Sequence, residues 1–226
     1  MIPPLIVQKA LEQRIDLIAI TDHNASANVA AVRNAAQGTS LTVLPGMEVQ
    51  SREEVHLLTL FDTLDALQAW QAEVDRSLPD LTNQPEFFGE QFVVDETGEF
   101  LRSEPRLLLT STGFSIDEIF DRVKALGGVV IPAHVDRFSY GLFPTLGLIS
   151  ESWNLLALEI SRQITPQKAA ETFPAIRQHP LIQSGDVHRL DDFLGATVFT
   201  IASPTLMELC MAFTQIDGRD VCIEMK

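Results

Sequence analysis

Apolar positions along the chain follow two alternating rhythms. Short blocks of β-formers at 17–20 (LIAI), 41–44 (LTVL), 55–61 (VHLLTLF), 129–131 (VVI), 155–160 (LLALEI), 181–183 and 196–201 read as buried strands. Between them the spacing turns helical. Ile6, Val7, Ala10 and Leu11 share one face of a helix opened by Pro3 and Pro4, while Gln8, Lys9, Glu12 and Gln13 point away. Further helices are expected over 27–37, closed by Gly38, and over 64–74. Ser115 and Glu118 have the spacing of a capping box, ahead of a buried face made by Ile116, Ile119, Phe120, Val123 and Leu126. A last helix starts at Ser203-Pro204, with Leu206, Leu209, Cys210 and Phe213 on one side. Strand–helix alternation of this kind predicts an α/β fold around a parallel sheet. The 41–44 strand is expected to stop at Pro45-Gly46.

Residues 78–112 break the rhythm. They hold Pro79, Pro85 and Pro105, and 91–101 (QFVVDETGEFL) reads as a hairpin turning at Glu96-Thr97-Gly98. The segment is expected to be an insertion in one domain spanning 1–226. Hydrophobic residues at 46% and charged residues at 21% exclude disorder. No apolar run nears the roughly 18 residues of a membrane span, so no membrane partner is expected. The stretch 1–7 is too short and lacks the basic leader of a secretory signal, so the expected location is cytoplasmic. Sixteen basic against 31 acidic residues leave a net charge of −15, which repels polyanions and argues against a nucleic-acid duplex as partner. A small anionic substrate is compatible with that charge, because bound metals reverse the sign inside a pocket. Cys210 and Cys222 are the only cysteines and cannot build a structural zinc site.

The histidines change the picture. His23, His134 and His188 directly follow apolar runs, His56 lies inside one, and Glu48 and Asp186 hold similar positions. In a parallel barrel the C-terminal strand ends converge on one rim, so these six would form a mixed imidazole–carboxylate nest suited to zinc, iron or manganese. Each has a bland alternative. A lone strand histidine is more often a satisfied core residue, Asp22 could cap the following helix, and Glu48 could be a solvated turn acid. Asp186 and His188, two apart in extended chain, point the same way. His179 sits at the wrong end of its strand and is left out. Six coincidences together are harder to accept than one.

In order along the chain, ITDHN (20–24), PGMEV (45–49), the His56 strand, IPAH (131–134) and SGDVH (184–188) resemble the PHP domain, named for polymerase and histidinol phosphatase. The resemblance implies a distorted (β/α)7 TIM-like barrel with two or three divalent ions and phosphoesterase activity. Residue by residue it implies metal ligation by His23, Glu48, His56, His134, Asp186 and His188, with Glu48 bridging and with Glu48 and Asp186 as the catalytic carboxylates. The family's first strand, which ends in H-x-H, has no counterpart here. Its absence is expected to leave the edge of the 17–20 strand open, to weaken activity, and to favour marginal stability or a homodimer covering that edge. Residues 221–224 form the one unassigned β-like stretch that could fill the gap.

The expected activity is metal-dependent hydrolysis of a small phosphorylated substrate by a metal-bridged hydroxide. Arg137 and Arg162 are candidates to grip the phosphate, against a bland reading as surface ion pairs. Asp22 is cast as a partner that orients a ligand histidine. The rival reading is a metal-binding or inert scaffold without turnover. A metal-dependent amide hydrolase shares the strand-end histidines, but not the ITDHN and PAH strings.

Overall fold

A computed structural model of the chain describes residues 1–224. Helix α1 (Pro3–Glu12) leads into β1 (Leu17–Ile20), α2 (Val29–Ala35), β2 (Thr42–Gln50), β3 (His56–Leu60) and α3 (Leu64–Ser77). Next come α4 (Pro85–Phe88), β4 (Phe92–Val94), β5 (Phe100–Ser103), α5 (Ile116–Ala125), β6 (Val129–Pro132) and α6 (Leu142–Leu146). The chain continues through β7 (Leu158–Ile160), α7 (Pro166–Thr172), β8 (Leu181–Gln183), β9 (Thr197–Thr200), α8 (Leu206–Phe213) and β10 (Asp220–Ile223). No helix of the described residues is long and apolar enough to cross a membrane.

The fold is mixed α/β. Its largest sheet runs β1-β2-β3-β6, and β7–β8, β9–β10 and β4–β5 form two-stranded ladders. The expected parallel sheet is corrected in its middle. β1 and β2 are parallel, as are β7 and β8, but β3 runs antiparallel to both β2 and β6. The reason is the short link at residues 51–55. Five residues suffice to reverse a strand, whereas a parallel return needs a crossover of a dozen or more.

Strand β2 also continues through Pro45-Gly46 where the composition predicts a stop. Pro45 still accepts from Phe61 N–H, so the missing donor costs one bond just beyond the end of β3. Gly46 makes the crossing possible. A Cβ there would lie 2.9 Å from Thr21 Cγ2 and 3.0 Å from Leu60 Cδ2.

Alternation then sorts the side chains of β2 and β3. Met47, Val49 and Leu57 turn to one face and are buried with Leu67, Trp70 and Val74 of α3 and Ile116, Ile119 and Val123 of α5. Leu44, Leu60 and Ile131 turn to the other face and cluster with Leu206, Leu209 and Phe213 of α8. Glu48, at the same parity as Leu44, faces this second side. The Ser115–Glu118 capping box forms with both of its hydrogen bonds, and the 91–101 hairpin forms as β4–β5. The last helix begins at Leu206, capped by Thr205 rather than by Ser203. The 221–224 stretch does not fill the edge beside β1. Residues 220–223 pair antiparallel with β9 instead, because a short connection after α8 returns the chain to its nearest strand.

Candidate metal centre

The β1–β2 ladder resumes beyond Thr21 as an isolated parallel bridge between His23 and Glu48. Glu48 N–H donates to Asp22 O, and Asn24 N–H to Glu48 O, so the backbone itself seats His23 against Glu48. Across the other edge of β2, Gln50 is opposite His56 and Glu48 opposite Leu58. That register puts His56 diagonal to Glu48 on the same face. Because β3 is antiparallel, its first residue reaches the rim formed by the C-terminal ends of β1, β2 and β6. This explains how a histidine at a strand start joins histidines that follow strand ends. His134 follows β6 with φ of +30°, a left-handed backbone, and its ring swings to Glu48. Such a conformation costs about 1–3 kcal/mol for a non-glycine residue, and Asn24, Tyr140 and Asp186 share it around the same rim.

Glu48 is the hub. Its Oε2 lies 3.1 Å from His23 Nδ1, and its Oε1 lies 3.2 Å from His56 Nδ1 and 3.3 Å from His134 Nε2. Donor atoms of His23, Glu48 and His56 all lie within 4.8 Å of one another. His56 Nδ1 and His134 Nδ1 are buried without a hydrogen-bond partner. His56 turns that nitrogen to the Glu48 carboxylate, whereas His134 turns its other one, Nε2; an imidazole–carboxylate cluster of this kind suits a divalent cation. Burial would by itself raise the Glu48 carboxyl, but the surrounding imidazoles of His134, His56 and His23 outweigh it and hold Glu48 well below the usual carboxylate range. Burial lowers the His23 imidazole, opposed by Glu48. For His134 burial also pulls down, but the Glu48 carboxylate prevails and raises it.

Asp186 and His188 flank this hub from the loop after β8. The His23 and His188 rings lie 6.0 Å apart, and His188 Nδ1 is 3.5 Å from Asp186 Oδ1. Gly185 lets that loop close, since a Cβ there would lie 1.9 Å from Asp192 O. Arg137 donates to Asp186 Oδ2, so this arginine does reach the rim. Arg162 does not join it; it pairs with Asp192 at 2.8 Å. The Asp22 assignment is also corrected. Its exposed carboxylate meets Asn28 Nδ2 at 3.5 Å and no histidine, and its contribution runs through the backbone carbonyl that receives Glu48 N–H.

Four neighbours were given no role by the sequence reading. Tyr140 stacks on His56 with ring centroids 4.5 Å apart and 1° between planes, and its carbonyl receives His56 N–H. Glu159 of β7 is buried among the ligand-bearing loops, and burial pushes its carboxyl up to about 7. Ser184 donates to Glu159 Oε1. The available signal was a lone acid in the otherwise apolar 155–160 run. Asn24, 1% exposed, ties the 104–112 segment to this rim by donating to Leu108 O and Thr110 O, each at 2.8 Å. His23, Glu48 and Asp186 line a cavity of about 930 Å3 together with the apolar Leu44, Leu58 and Ile131.

No family model matches the sequence, and no curated protein matches it. Solved structures do. The lesion-specific endonuclease Q of Pyrococcus furiosus superposes with a TM-score of 0.70 at 16% identity, over 98% of this chain and 53% of its own. A second structure of endonuclease Q, with a 27-mer duplex substrate carrying an abasic lesion at the active site, gives a TM-score of 0.66 at 16% identity over 97% and 53%. An amidohydrolase from Chromobacterium violaceum with bound sulfate matches at 0.57 and 17% identity, over 99% of this chain and 93% of that one. A two-domain protein from Bacteroides vulgatus containing a predicted PHP-like metal-dependent phosphoesterase matches at 0.55 and 12%, over 98% and 60%. The chain therefore has a PHP-like fold, and it spans about half the length of endonuclease Q.

Proposed function

We propose that the chain is a metal-dependent phosphoesterase of the PHP type. The reading takes 1–226 as one distorted (β/α)7 domain with 78–112 inserted. The observation that carries it is the buried Glu48 carboxylate, whose oxygens lie 3.1–3.3 Å from three imidazoles, two with an unpartnered ring nitrogen. His23, Glu48, His56, His134, Asp186 and His188 would hold zinc, manganese or iron. Such ions supply Lewis acidity and a lowered pKa for coordinated water. The protein's own part is orientation. Glu48 faces both sides of the cluster, the low pKa of its carboxyl keeps it ionised at neutral pH, and Tyr140 fixes the plane of the His56 ring. Arg137 offers a guanidinium for the phosphate oxygens, bidentate where geometry allows, once it leaves Asp186. Arg162, held by Asp192, has no part in this.

A small phosphate ester is the favoured substrate. The net charge of −15 opposes the long polyanion that endonuclease Q binds. Amide hydrolysis is the second reading, favoured by the amidohydrolase that this chain covers over 93% of its length. The test loads the purified protein with Mn2+ or Zn2+ and follows phosphate release from small esters, cleavage of a small amide panel, and nicking of a duplex with an abasic site. Phosphate release that is lost in Glu48→Gln supports the proposal. Amide cleavage or duplex nicking without it would replace the proposal.

A further inference from the structure

Glu159 sits in the middle of the short strand β7, between β6 and β8, and is 3% exposed. Its surroundings are unusual for a buried acid. Among the described residues no lysine or arginine bonds to it, and its two oxygens are divided between two loops. Oε2 accepts the backbone N–H of His134 at 3.0 Å, at the turn that follows β6. Oε1 accepts the hydroxyl of Ser184, in the turn that follows β8 and carries Asp186 and His188. The backbone beside it repeats the pattern, because Val135 N–H donates to Glu159 O at 2.8 Å.

Both receiving loops carry left-handed residues, His134 at φ +30° and Asp186 at +46°. Strained backbone persists only where its surroundings over-determine it. A carboxylate that accepts from both loops at once supplies that constraint. We propose that Glu159 is a positioning residue, a single carboxylate that clamps the β6 and β8 loops together so that His134 and the Asp186–His188 pair face Glu48 at the same time. The role rests on the metal-centre reading above. Glu159 acts through the two loops it holds and is not itself a ligand.

The chemistry allows a sharp test, because glutamine can replace the clamp. Its carbonyl can accept from His134 N–H while its amide donates to Ser184 Oγ, a hydroxyl that accepts as readily as it donates. Alanine can do neither. The experiment titrates Zn2+ into wild type, Glu159→Ala, Glu159→Gln and Ser184→Ala, and measures amide exchange at His134 in the metal-free proteins. Glu159→Ala should weaken Zn2+ about 10–100-fold, the usual effect of losing a residue that orients ligands. It should also speed exchange at His134. Glu159→Gln should stay within about threefold of wild type, and Ser184→Ala should fall between them. If Glu159→Ala does not fold, the glutamine and Ser184→Ala variants decide. Equal Zn2+ affinity in folded Glu159→Ala, or a glutamine variant as weak as alanine, would overturn the clamp, the latter pointing to a role for the negative charge. A wild-type protein that binds no Zn2+ would overturn the metal reading, and exchange at His134 would then judge the clamp by itself.

Discussion

The two halves of the rim are built to different standards. On the sheet side, the side chains of His134, Glu48 and His56 are 2%, 7% and 8% exposed, and each stands on a strand or directly beyond one. On the loop side, the side chains of Asp186, Arg137 and His188 are 28%, 40% and 63% exposed. The sheet half is held by ladder hydrogen bonds on both edges of β2. The loop half is held by side chains: Arg137 on Asp186, Glu159 on Ser184, and Asp192 Oδ2 accepting from the backbone N–H groups of His188 and Arg189. A buried carboxylate shared by three imidazoles is preorganised for a cation, whereas a half-buried aspartate paired with arginine needs none. The first cation should therefore be governed by the sheet half and the substrate by the loop half.

The hardest blow to this contrast is Glu48→Gln, which removes the charge shared by three imidazoles. Zn2+ or Mn2+ affinity measured by calorimetry should fall more than about 100-fold. Retention of tight binding would show that the loop half can hold the ion unaided. Gly46→Ala attacks the scaffold under the same half. Its Cβ would crowd Thr21 and Leu60 beside the sheet half's strands, and chemical denaturation should show a loss of roughly 1–3 kcal/mol. An unchanged midpoint would mean that β1 and β2 can part without cost.

A pH series sharpens the junction between the halves. The folded Glu159 carboxyl is raised from 4.5 to about 7, so the fold holds that proton more tightly than the unfolded chain does. Its contribution is present below pH 4.5 and is lost as pH rises towards 7, a difference on the order of 1–3 kcal/mol. Metal-free Glu159→Gln lacks this titration, so its melting temperature should gain on wild type between pH 5 and pH 8. Parallel curves would show that the carboxyl is not burdened by burial.

Smaller still, Asp186→Asn and His188→Ala should each cost metal affinity about tenfold while leaving the melting temperature nearly unchanged. An effect as large as that of Glu48→Gln would erase the distinction between the halves. The smallest effect belongs to Arg162→Ala. Its pair with Asp192 is a solvent-screened surface pair, so the melting temperature should barely change and the Michaelis constant for a phosphate ester should not move.

Much of this protein is legible in one dimension. Apolar blocks mark the strands, the Ser115–Glu118 spacing marks a helix start, and the ITDHN, PGMEV, IPAH and SGDVH strings contain His23, Glu48, His134 and the Asp186–His188 flank. The one cluster member outside those strings is His56, which the apolar 55–61 block carries. Those features are local, and local spacing suffices to find them. Arg162 illustrates the limit. Its place just after a strand suggested the rim, yet Asp192, thirty residues on, claims its guanidinium.

What lay beyond the chain pattern was decided in three dimensions. The reversed direction of β3 depends on how a five-residue link folds back, and that reversal brings His56 to the rim. The passage of β2 through Pro45-Gly46 depends on whether a neighbour has room, as Thr21 and Leu60 do only for glycine. The 220–223 strand had two edges open to it, and the turn after α8 chose β9. Glu159 looked like one acid in an apolar strand until packing set it between two loops that lie 25 residues to either side. The physical reason is common to all four. Periodicity reports which face of an element is apolar, but direction, partner and distance arise from contacts between residues far apart in sequence, and those exist only once the elements pack.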